Sequence, residues 1–175
     1  MKKNQKGFSL IELLIVVAII LIIAAIAIPN LLRSKIAANE SSAVGSVRTI
    51  GTAEVTYSSS WGTGYAVGLT QLGGPAPCVN ASSALACLID PLLSVAPFTK
   101  SGYSFGALGT FTDAAGINNG FEIVSNPTNP QVTGVRHFCD DQSGVVKFNM
   151  AAVALGQGNC AAVPTTAGVS GPVGN

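Results

Sequence analysis

The chain has 175 residues, of which 48% are hydrophobic and only 10% charged, with a formal net charge of +1. Its length suffices for one small domain, its charge balance gives nucleic acid no electrostatic grip, and its charged content is well under the about 25% of an average soluble domain. The exposed surface is therefore built largely of Ser, Thr, Asn, Gly and Ala, or is covered by neighbouring subunits or glycans.

Lys2, Lys3 and Lys6 precede a long apolar run. After Glu12 no charge occurs until Arg33, and every residue from Leu13 to Ile28 is Leu, Ile, Val or Ala. Counted from Phe8 to the residue before Pro29, at about 1.5 Å per residue, a helix here spans roughly 30 Å, the hydrocarbon thickness of a bilayer. The leading lysines keep residues 1–7 cytoplasmic and send the chain beyond the helix across the membrane. An ordinary secretory signal would be shorter, would end in an A-x-A-like site and would not carry Glu12. An ionised carboxylate in that setting costs at least ~2.5 kcal/mol. It calls for a partner, unless it snorkels to the headgroups from its place near the helix start.

A short Lys-containing leader ending in Gly7, followed by Phe8, then Glu12 four residues on and Pro29 at the end of the apolar run, resembles the type IV prepilin signature. That signature is shared by type IV pilins and type II secretion pseudopilins. The resemblance is close over about the first 35 residues and beyond them is one of layout. It implies cleavage between Gly7 and Phe8 by a prepilin peptidase, N-methylation of Phe8, and assembly by inner-membrane pilus machinery into a homopolymeric helical filament. The precursor would reside in the bacterial inner membrane and the product on the cell surface. Cleavage turns an uncharged amide into an α-amine, mostly cationic at neutral pH, at the membrane depth of Glu12. Intrachain pairing of Phe8 and Glu12 is a competing use, since residues four apart share a helix face. The resemblance favours pairing with a neighbouring subunit.

Pro29 removes a backbone donor and crowds the preceding turn, so the helix is expected to kink or loosen over Ala25 to Asn30, separating a membrane and filament-core segment, 8–30, from an amphipathic half, 31–60. In that half Ile36, Val44, Val47, Ile50, Tyr57 and Trp61 recur at mostly three- and four-residue steps, with Arg33, Lys35, Asn39, Glu40, Arg48 and Glu54 largely elsewhere. Gly45 and Gly51 weaken the helix and suit close packing. Residues 61–100 are dense in turn signals and read as a loop region, with a short helix over Leu85 to Leu93 interrupted at Pro91. From Tyr103 the period changes to two. Phe121 to Val124 ends in a turn-rich stretch, and Val135 to Cys139 and Val145 to Asn149 flank Asp140-Asp141-Gln142-Ser143-Gly144 as a hairpin. Three or four antiparallel strands over 101–162 are expected to pack on the amphipathic half of the helix, and 163–175 to be a flexible tail. The fold class is α+β, with a type IV pilin-like layout.

Cys78, Cys87, Cys139 and Cys160 show no C-x-x-C spacing and, beyond a membrane segment, read as two disulfides in an oxidising compartment. Three pairings are open. Local closure, Cys78 with Cys87 and Cys139 with Cys160, is the expected one, and the second closure resembles the C-terminal disulfide loop of pilins more than a pseudopilin. His137 beside Asp140 and Asp141 lacks a second histidine, and the acidic spacing does not match a dedicated calcium loop. No metal or cofactor is therefore expected. Asn39-Glu40-Ser41 and Asn80-Ala81-Ser82 are sequons that chance also supplies. A structural filament subunit is the leading function. A pseudopilin is the alternative, and a membrane-anchored periplasmic enzyme or binding domain is remote, since no nucleophile and base pair or phosphate loop is visible.

Overall fold

A computed structural model describes residues 7–75, 77–166 and 168–173, in two compact units that meet between Lys35 and Ile36. Helix α1 runs from Leu10 to Trp61 and contains Pro29. The loosening expected over Ala25 to Asn30 does not interrupt it, because a proline costs its helix one backbone bond while the turns on both sides continue to propagate. In the N-terminal unit the helix is exposed all round, Leu, Ile and Val side chains included.

In the C-terminal unit α1 packs on a six-stranded antiparallel meander in sequence order. Its strands are β1 (Thr99–Lys100), β2 (Tyr103–Thr112), β3 (Asn118–Pro127), β4 (His137–Asp141), β5 (Lys147–Asn149) and β6 (Ser170–Pro172). Ala43, Val47, Ile50, Ala53 and Tyr57, at helical spacing, meet Tyr103, Phe105 and Ala107 of β2, Phe121 and Ile123 of β3 and Phe138 of β4 in one core. Burial alternates along β2, whereas β3 is buried on both faces. Its second face holds Val124, which packs with Cys139, Val153, Cys160 and Val163 in a smaller cluster.

The turns follow side-chain chemistry. Asp113 accepts the amides of Ala115 and Ile117 between β2 and β3, and Asp141 accepts that of Ser143 ahead of Gly144, whose φ of 69° is the left-handed value glycine tolerates. Region 61–100 carries two short helices, α2 (Leu69–Leu72) and α3 (Pro91–Ser94), besides β1. Pro91, expected to interrupt a helix over Leu85 to Leu93, starts one instead. Its missing N–H falls where a helix has no internal acceptor, and the Asp90 carboxylate caps the turn through Leu92 N–H at 2.8 Å. The sheet also extends past the expected 101–162, for β6 lies within the stretch read as a tail and pairs with β5. Backbone pairing to an open strand edge orders residues whose side chains carry no periodic signal.

Candidate functional site

The expected processing site lies at the start of α1. Gly7 and Phe8 precede the helix, and Phe8 is 81% exposed. Lys2, Lys3 and Lys6 of the leader lie outside the described residues. The Glu12 carboxylate accepts the backbone N–H of Ser9 at 2.9 Å. Ser9 directly precedes the helix and Glu12 is its third residue, so Ser9-Leu10-Ile11-Glu12 has the arrangement of a capping box, in which the carboxylate satisfies an amide the helix leaves unpaired. That gives the apolar helix a reason to carry a carboxylate in its own first turn, beyond snorkelling or pairing with another subunit. The S-x-x-E spacing signals it in the sequence. Among the described residues α1 is the one helix long and apolar enough to cross a membrane.

The C-terminal unit holds a feature the helical pattern did not reveal. Glu40 and Glu54, expected largely off the apolar face, are both buried. Each serves as an internal acceptor for a loop. Glu40 accepts the amides of Val135 and Arg136 at 2.9 and 3.0 Å and Arg136 Nε at 2.7 Å, fastening α1 to the segment before β4. Burial opposes ionisation of Glu40, but the two amides and the guanidinium outweigh it and hold its pKa below the ordinary value. Arg136 in turn lies over the rings of Phe138 and Phe148, 5.7 and 5.6 Å from their centroids. Glu54 is 0% exposed and accepts the Ala66 N–H at 2.8 Å, and its other oxygen has no partner among the described residues. Burial pushes its pKa up to about 7 against that single hydrogen bond. Glu54 sits four residues after Ile50 and three before Tyr57, and this place on the apolar stripe is the signal that could have located it.

On the opposite face of the sheet, Glu122 accepts the amides of Gly156 and Cys160 at 3.0 and 2.9 Å. The same segment is bonded to β4 through Cys139–Cys160, while Cys78–Cys87 closes the loop between α2 and α3. His137 is buried with Nδ1 2.8 Å from Asn126 Oδ1, and burial lowers its pKa. It belongs to strand packing. Among the described residues no group of three His, Cys, Asp or Glu side chains is placed to hold a metal.

The family model described as the prokaryotic N-terminal methylation motif matches residues 2–28. The type IV wide pilus major component PilA4 of Thermus thermophilus is similar at 63% identity over 38 residues, 22% of this chain. The match spans only 29% of that relative's length. No solved structure matches the chain. Over its N-terminal residues the chain is thus similar to a type IV pilus component, and its long helix and antiparallel sheet form an α+β layout.

Proposed function

We propose that the chain is a pilin, a structural subunit cut between Gly7 and Phe8 by a prepilin peptidase, N-methylated at Phe8, and polymerised through α1 into an extracellular type IV pilus. The observation that carries this reading is the apolar half of α1, which no part of its own unit covers. A bilayer covers such a surface before assembly and neighbouring copies of the same helix cover it afterwards. Glu12 then has two successive partners. In the precursor it caps Ser9. In the filament it takes the cationic α-amine that cleavage creates on a neighbouring Phe8, exchanging a neutral donor for a charged one. Proteolysis is thereby the switch for assembly, with the inner-membrane pilus machinery supplying the work of extraction. Pro29 leaves a carbonyl one turn back without its donor, tolerable where packed helices exclude water around it.

Glu12→Val tests the pairing. The variant should insert and be cleaved, since the leader is unchanged and the helix more apolar. It should assemble poorly, because an incoming subunit would bury an amine without a counter-charge, a loss of ~3 to 5 kcal/mol for a broken buried pair. Wild-type filament yield from cleaved Glu12→Val protein would refute the pairing.

A further inference from the structure

Between α1 and the turn joining β4 to β5 runs an open groove of about 450 Å³. Its floor is Asp140, only 3% exposed. Asp140 pairs with Ile123 across the β3–β4 ladder and so faces the helix, as Ile123 does. Its Oδ1 accepts the Asp141 N–H at 3.0 Å. Its Oδ2 accepts no hydrogen bond among the described residues and lies 3.0 Å from where a Cβ on Gly51 would stand. Two features thus coincide at one place: a glycine in mid-helix, and a carboxylate 3% exposed as a residue whose Oδ2 has no protein donor among the described residues.

The walls complete a pattern. The Thr52 and Thr56 hydroxyls donate back to the carbonyls of Arg48 and Thr52 at 2.9 and 2.8 Å, so their oxygens have only lone pairs left to offer. Val55 and Phe121 supply apolar flanks. An acceptor-rich floor between apolar flanks complements a long side chain with a hydrocarbon stem and a cationic head. Arg48 stands at the rim, but among the described residues the ion pairs are Lys100–Asp90 and Arg136–Glu40, so it does not neutralise Asp140 directly. Arg33 and Lys35 are exposed cations that take part in neither pair.

We propose that the groove is a subunit contact in which a second copy of the chain inserts Lys35 or Arg33 and donates to Asp140 Oδ2. This rests on the homopolymer reading above and adds a specific polar contact to it. Burial raises the Asp140 carboxyl to about 6, with Asp141 adding to that and the Asp141 amide, Arg48 and Lys147 acting against it. A cation seated on Oδ2 keeps the group ionised at neutral pH.

The test compares subunit release from sheared filaments of full-length protein, diluted into detergent, for wild type, Asp140→Asn and the milder Thr52→Val. The thermal unfolding of each unassembled chain is measured in parallel. Asp140→Asn should leave the unassembled chain at least as stable as wild type, since it removes a poorly solvated charge. Its filaments should release subunits at least about tenfold faster, as expected on losing one partner of a desolvated charge pair, and Thr52→Val should move release in the same direction. The effect of Asp140→Asn should vanish in an Arg33→Ala, Lys35→Ala background. Unchanged release in both single variants would overturn the proposal. So would an effect that persists in that background, or one that Arg48→Ala alone abolishes, which would assign Asp140 to its own helix. Absence of this chain from wild-type filaments would instead refute the polymer reading, and this contact with it.

Discussion

Replacing Glu54 by Gln isolates the energetic consequence of a wholly buried carboxyl. In the folded chain the group is pushed up to about 7 from an ordinary 4.5. Between those values the folded state keeps a proton that the unfolded state has released, so stability falls as pH rises through the window and levels off above it. At 1.36 kcal/mol per pH unit the loss at pH 8 is roughly 3 kcal/mol. Gln is neutral throughout and keeps a carbonyl for the Ala66 N–H, so Glu54→Gln should match wild type near pH 4 and exceed it by roughly 3 kcal/mol at pH 8. The remaining buried carboxyls are common to both chains and cancel in the difference. Urea unfolding of the full chain in micelles can be followed by Trp61, the sole tryptophan, whose ring lies 5.0 Å from that of Tyr57 in the folded unit. A difference between the two chains that is the same at pH 4 and pH 8 would refute the reasoning.

Two further predictions concern the segment that covers the second face of the sheet. Removing the 21-residue closure with Cys139→Ala and Cys160→Ala should cost roughly 3 kcal/mol in denaturant unfolding if chain entropy dominates, and an unchanged midpoint would contradict it. Glu122→Gln withdraws one of two acceptors from a carboxylate that is 1% exposed, so the Gly156 and Cys160 amides should exchange with solvent faster, at a cost of about 1 to 3 kcal/mol. Protection at both amides equal to wild type would show that the disulfide alone holds the segment.

The N-terminal half of the fold was open to sequence reasoning because its signals are redundant. The apolar run, the leading lysines and the three- and four-residue spacing from Ile36 to Trp61 all point to one long helix. Strand β2 alternates as a half-buried strand must, and the Asp141 to Gly144 turn carries its own chemistry. Where one residue type serves opposite roles, the pattern fell silent. A glutamate on an amphipathic helix reads as solvent-facing until a loop amide reaches it, as Val135 does for Glu40 from far along the chain and Ala66 for Glu54 from just past the helix end. Pro91 reads as a breaker or as a first helical residue depending on the cap before it. Strand β6 has three residues and takes its order from the edge of β5, which no local window contains. The Ser9 and Glu12 capping spacing is legible in the sequence, but the membrane cost of the carboxylate points equally to a distant partner.

The most direct test of the account is mass spectrometry of filaments sheared from the surface of cells that make this chain. The filament subunit should begin at Phe8, carry a methyl group on its α-amine and retain both disulfides. Filaments built from other proteins, or from this chain still beginning at Met1 or cut within Ala24 to Asn30, would contradict it.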